Sequence, residues 1–75
     1  MMNRNTIGVN AGVIWRLLDD NKRWEYSELR KASGLSDRDL NAAIGWLACE
    51  NKIQFLCDKD NDKEYLYLEL NYYIG

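Results

Sequence analysis

Asp58, Asp60, Asp62 and Glu69 stand at the first, third, fifth and twelfth places of a calcium-binding EF-hand loop, the one spacing in the chain that suggests a metal site. The context argues against calcium. Lys63 occupies the place where such a loop needs glycine for its sharp turn, and the flanking stretches alternate as strands do. The stretch therefore reads as a solvated acidic turn, and no metal or cofactor is expected. Nucleophilic catalysis has Ser27, Ser33, Ser36, Cys49 and Cys57 as candidates, but the chain contains no histidine to act as base. Ser27 and Ser36 also precede helical runs, where a hydroxyl serves as a cap. Asp19 and Asp20 are adjacent and point in different directions on a helix, which makes a poor acid–base pair. These residues do not add up to an enzyme, and no small-molecule substrate is identified.

The elements follow from periodicity. Residues 36–53 open with Ser36 as cap and Asp39 three places on, the spacing of a capping box, with Asp37 adding charge at the positive end of the helix dipole. Leu40, Ile44 and Leu47 then recur at three- and four-residue steps with Ala43 and Ala48 beside them, and Asn51-Lys52 ends the helix. Upstream, residues 27–33 form a short helix that starts at Ser27, stops at Gly34 and turns Leu29 and Ala32 inward, with Leu35 in the turn. Two helices joined by a tight glycine-containing turn make a helix-turn-helix. Residues 6 to about 20 predict a first helix capped by Asn5 or Thr6, with Ile7, Ala11, Ile14, Leu17 and Leu18 facing the core. Trp24-Glu25-Tyr26 alternates as a short strand. Residues 53–57 and 64–70 predict a hairpin, with Leu66, Leu68 and Leu70 on one face and Tyr65, Tyr67 and Glu69 on the other. Residues 1–75 thus form a single α+β domain: three helices, a short strand and a C-terminal hairpin that serves as a wing.

With 75 residues the domain is near the lower limit for a self-sufficient core, so length alone leaves self-association open. The first helix is apolar nearly all round. Val9 and Val13 lie on one flank and Gly8, Gly12 and Trp15 on another, so this helix seeks cover on more than one side. A homodimer is the favoured partnership, built from Gly8, Gly12 and Trp15, from the aromatic strand face with Tyr65 and Tyr67, or from a tail in which Tyr72 and Tyr73 need somewhere to dock. The alternative for the two glycines is seating this helix against its own domain. No apolar run reaches membrane-spanning length and residues 1–4 lead into no signal-peptide core, so a cytoplasmic address is expected, with the two cysteines as reduced, packed thiols.

Ala11-Gly-Val-Ile-Trp15 followed by Leu18, and Ala43-Ile-Gly-Trp-Leu-Ala48 closing in Glu50-Asn-Lys-Ile53, resemble a family of small stand-alone bacterial winged helix-turn-helix proteins of unassigned function. The resemblance covers nearly the whole chain and implies the winged-helix fold. In that family a basic residue commonly follows Gly-Trp-Leu-Ala; here it is Cys49, which weakens any nucleic-acid role the resemblance implies.

Winged helices read DNA in many cases, so the chemistry of the second helix-turn-helix member decides between partners. At 100° steps Arg38, Ala42, Gly45, Trp46 and Cys49 face away from the core, with Asn41 at the edge. Base edges are read by bidentate donors and acceptors, and this face offers Arg38 and Asn41 alone. Lys52, Lys59 and Lys63 are the candidate phosphate contacts. Residues 37–75 carry four basic and eight acidic side chains, net −4, whereas residues 1–36 carry six and four, net +2. The half that touches duplex in a conventional docking is the acidic half, so charge disfavours DNA. The other route is a docking on the basic first half through Arg4, Arg16, Lys22, Arg23, Arg30 and Lys31. A protein partner suits the exposed face better: Ala42, Gly45 and Cys49 admit another backbone and Trp46 would anchor it, unless Trp46 packs sideways within the domain.

Overall fold

The computed structural model describes residues 2–69, and its elements run α1 (Arg4–Leu18), β1 (Trp24–Glu25), α2 (Tyr26–Ser33), α3 (Asp37–Cys49), β2 (Ile53–Asp58) and β3 (Lys63–Leu68). The three helices lie against one face of an antiparallel sheet ordered β1-β3-β2. In the ladder Ile53 opposes Leu68 and Phe55 opposes Leu66, while Trp24 opposes Leu66 from the other side. Opposed residues share a face, so Ile53, Leu66 and Leu68 meet the helices and Tyr65 and Tyr67 take the outer face, as their alternation predicts. The core is Ala11, Ile14 and Leu18 from α1, Leu29 from α2, Leu40, Ala43 and Leu47 from α3, and Ile53, Leu66 and Leu68 from the hairpin. No helix among the described residues is long and apolar enough to cross a membrane.

Several boundaries differ from those read off the sequence, each for a local reason. α1 starts two residues early because Asn3, rather than Asn5 or Thr6, caps it: the Thr6 N–H donates to Asn3 Oδ1 at 2.8 Å. α2 starts at Tyr26 rather than Ser27, since Glu28 reaches back to accept from the Glu25 N–H at 2.9 Å, and Tyr26 is thereby removed from the strand. Ala32 is exposed, and Ile44 is only half-buried because the α3 stripe is centred on Leu40, Ala43 and Leu47. Gly34 ends α2 in the left-handed region, φ 72°, where a side chain would be strained. Asn51 takes the same conformation after α3, φ 59°, so that its N–H reaches the Ala48 carbonyl and the Lys52 N–H the Leu47 carbonyl, both at 3.0 Å. That closure swings the chain directly into β2. Leu70, expected on the core face, lies outside the described residues, as do Tyr72 and Tyr73.

Candidate functional site

Ser36 caps α3 by accepting from the Asp39 N–H at 3.2 Å, and this fixes which side chains the helix presents outward. Asp37, at its first turn, is committed within the domain. Arg30 Nε lies 3.0 Å from Asp37 Oδ1, and the Tyr26 hydroxyl donates to the same oxygen at 3.0 Å. Burial first, and this bond to a carboxylate second, push the Tyr26 hydroxyl above its ordinary pKa. Arg38, Asn41, Gly45 and Cys49 are exposed on α3, as the 100° spacing predicts, and Ala42 is half-buried. An added side-chain carbon at Gly45 would meet nothing within 4 Å. Trp46 behaves differently. It is half-buried against the core, and a Cβ built on Gly8 would sit 3.7 Å from its ring carbon Cζ2. Trp46 thus takes the sideways packing against the first helix, beside Gly8, where a methyl group would find ordinary van der Waals contact.

The basic residues expected at phosphates divide into two groups. Lys52 folds back over the Trp15 ring, Nζ 4.6 Å from the centroid, and lies 3.6 Å from Glu50. Lys63 is 3.2 Å from Glu25, whose hydrogen bond and then charge hold the ammonium above its usual pKa. Lys59 is exposed at the wing tip and Arg38 on α3. At that tip, Asp58 closes the turn by accepting from the Asn61 N–H and side-chain amide, at 3.3 and 2.9 Å on its two oxygens. Those bonds, the side-chain amide's first, lower its pKa. The acidic stretch with EF-hand spacing is therefore a hairpin turn between β2 and β3, with one aspartate engaged in holding the turn.

Among the residues expected at a protein interface, Gly12 is open, with nothing within 4 Å of an added Cβ. Trp15, Tyr65 and Tyr67 are half-buried, Trp15 under Lys52 and Tyr67 under the Arg23 guanidinium at 5.5 Å. Two side chains whose type and spacing do not mark them as anchors are instead the most open large hydrophobics among the described residues: Val9 is 67% exposed and Phe55 55%. Val9 borders a shallow groove between α1 and α3 that is floored by Gly8 and Trp46 and edged by Arg4 and Asn5. Phe55 lies on the helix face of the sheet, opposite Leu66, yet the helices do not cover it. Alternation along β2 could place Phe55 on that face; it carried no signal of where the helical layer stops.

With helices, sheet and wing in this order, the chain matches the winged helix-turn-helix domain family DUF2582 over residues 2–68. The chain belongs to this family. The match spans every described element, wing included. A solved structure with the same architecture is the solution NMR structure of a protein from Bacteroides thetaiotaomicron, at 31% identity and a TM-score of 0.80, covering 95% of this chain and 84% of that one. No functionally curated protein matches the sequence. Winged helices commonly bind DNA, and DUF2582 membership establishes the fold on which such a site would be built; the partner has to be argued from the side chains.

Proposed function

We propose that this DUF2582 domain is a non-enzymatic binding module that docks protein, in the first place a second copy of itself, in the cytoplasm. The observation that carries the reading is the engagement of its basic groups. Of the four basic residues from position 37 onward, Lys52 is held by Trp15 and Glu50 and Lys63 by Glu25. A phosphate backbone docked on α3 and the wing would meet chiefly Arg38 and Lys59, among Asp39, Asp60, Asp62 and Glu64, all outside these pairs. Phosphate neutralisation with release of counterions supplies most sequence-independent affinity for duplex, and little of it is on offer. Val9 and Phe55, meanwhile, leave apolar area in water on a very small domain. Cys49 and Cys57 are free thiols, exposed rather than packed as expected, and free thiols fit a reducing compartment.

DNA binding is the second reading, favoured by the exposure of Arg38 and Asn41 on the outer surface of α3, where a groove-reading helix carries its donors. Sedimentation velocity across a concentration series, with and without a labelled mixed-sequence duplex at low salt, separates the two. The protein-docking reading expects a reversible dimer that does not co-sediment with duplex. A monomer at every concentration that does co-sediment would replace it with the DNA reading.

A further inference from the structure

β2 is a six-residue strand at one edge of the sheet, and among the described residues no strand pairs with its far side. One bond sets the phase of its main-chain groups. The Glu69 N–H donates to the Lys52 carbonyl at 2.9 Å, just beyond the Ile53–Leu68 pair, so Lys52 and Glu69 stand in a hydrogen-bonded position of the ladder. Hydrogen-bonded and non-hydrogen-bonded pairs alternate in an antiparallel ladder. Gln54 and Leu56 therefore turn N–H and C=O toward β3, and Ile53, Phe55 and Cys57 turn theirs to the open edge. Folded proteins blunt such edges with lysine, proline, a bulge or an inward-pointing charge. Residues 53–58 carry one charge, at Asp58, and the ladder runs through all six without a bulge. The residue at the middle of the outward-facing set, Phe55, is also the one whose ring is left 55% exposed.

We infer that β2 pairs antiparallel with β2 of a second copy about a two-fold axis at Phe55, joining two three-stranded sheets into one. The inference deepens the self-association reading above and rests on it. In this register Phe55 exchanges both main-chain bonds with Phe55 of the second copy, and Ile53 does so with Cys57 in each direction. All outward groups of the three residues are then used. An axis normal to the sheet keeps like faces together, so the two Phe55 rings, on Cα atoms about 5.5 Å apart, cover one another on the helix side. Asp58 falls opposite the Lys52 position of the second copy, so no like charges face each other across the axis. Sliding the centre to Cys57 would instead draw the two acidic turns at 58–62 toward each other. The contact is isologous and closes at two copies.

Amide hydrogen exchange on the full chain, read residue by residue from dilute to concentrated protein, tests this. Phe55 and Cys57 amides should slow by at least about tenfold as the dimer fills, while Gln54 and Leu56, bonded to β3 throughout, stay slow at every concentration. In a dimer mixed from labelled and unlabelled chains, the Gln54 Hα should show a cross-peak to the Leu56 Hα of the other copy. Phe55→Lys should return a folded monomer, and Val9→Lys, the same change at the other exposed hydrophobic, should leave the dimer in place. A dimer whose Phe55 and Cys57 amides exchange as fast as in the monomer, or a folded Phe55→Lys protein that still dimerises, overturns the edge pairing and leaves self-association standing. A monomer at all concentrations overturns both.

Discussion

At Lys52 two attractions converge on one ammonium, the Trp15 ring at 4.6 Å and Glu50 at 3.6 Å, and its side chain retains 20% of its exposure. The ring is the stronger hold, because Glu50 is well exposed and solvent screens the ion pair. Lys52→Ala should therefore destabilise the domain by about 1 kcal/mol, combining the lost cation–π contact with the lost packing of the stem on Trp15, and urea unfolding measures it. Asp20 makes a prediction in pH. It accepts from the Lys22 N–H at 2.9 Å and the Trp24 indole at 3.1 Å, and these bonds, the backbone one first, hold its carboxyl below the ordinary value of 3.8. A carboxyl whose folded pKa is depressed contributes stability that is complete above the unfolded value and lost as pH falls through the lower folded one. The Trp24 indole proton should accordingly follow a titration whose midpoint lies below 3.8. Trp46 shows where residue-level reading ends. A helical wheel put it on the outward side of α3 but carried no information on the neighbouring helix, where the ring lies beside Gly8 at a distance that an added Cβ would meet as ordinary contact.

The elements were legible where an apolar period marked them. Leu40 and Leu47 located α3, and Leu66 and Leu68 gave the inward face of β3. Starts were harder, because the signal that sets them is polar and short. Arg4 and Asn5 carry no apolar period that would extend the helix back to Asn3, and the Glu25–Glu28 pair that begins α2 lies around Ser27, whose residue type is itself that of a cap. Two substitutions test the turns that aim α3. Ser36→Ala removes the acceptor for the Asp39 N–H and should cost about 1 kcal/mol by thermal or urea unfolding. Gly34→Ala places a side chain at φ 72° and should cost about 1–2 kcal/mol, although space around it is open, since the strain lies in the backbone. Leu47→Ala, by contrast, empties a site 2% exposed between α3 and the rest of the core, and about 2–5 kcal/mol should go with it.

On the scale of the whole molecule, composition gave the charge imbalance and the paucity of catalytic side chains, and the structure adds where the charges are engaged. Lys63 counts as a phosphate contact in sequence and as the partner of Glu25 in space, because β1 runs alongside β3 and brings residue 25 to the wing. Phe55 counts as one more strand hydrophobe in sequence and as uncovered apolar surface in space. Both outcomes depend on contacts between distant segments, which periodicity within one segment does not encode. The most direct test of the protein-docking account is an amide chemical-shift titration with a mixed-sequence duplex at low salt, repeated at higher salt. Phosphate attraction is strongest at low salt, so any duplex site should declare itself there. The account predicts no saturable shifts on Arg38, Asn41 or residues 58–64 at either salt concentration. Salt-sensitive, saturable shifts gathered on α3 and the wing would contradict it and make the domain a DNA reader.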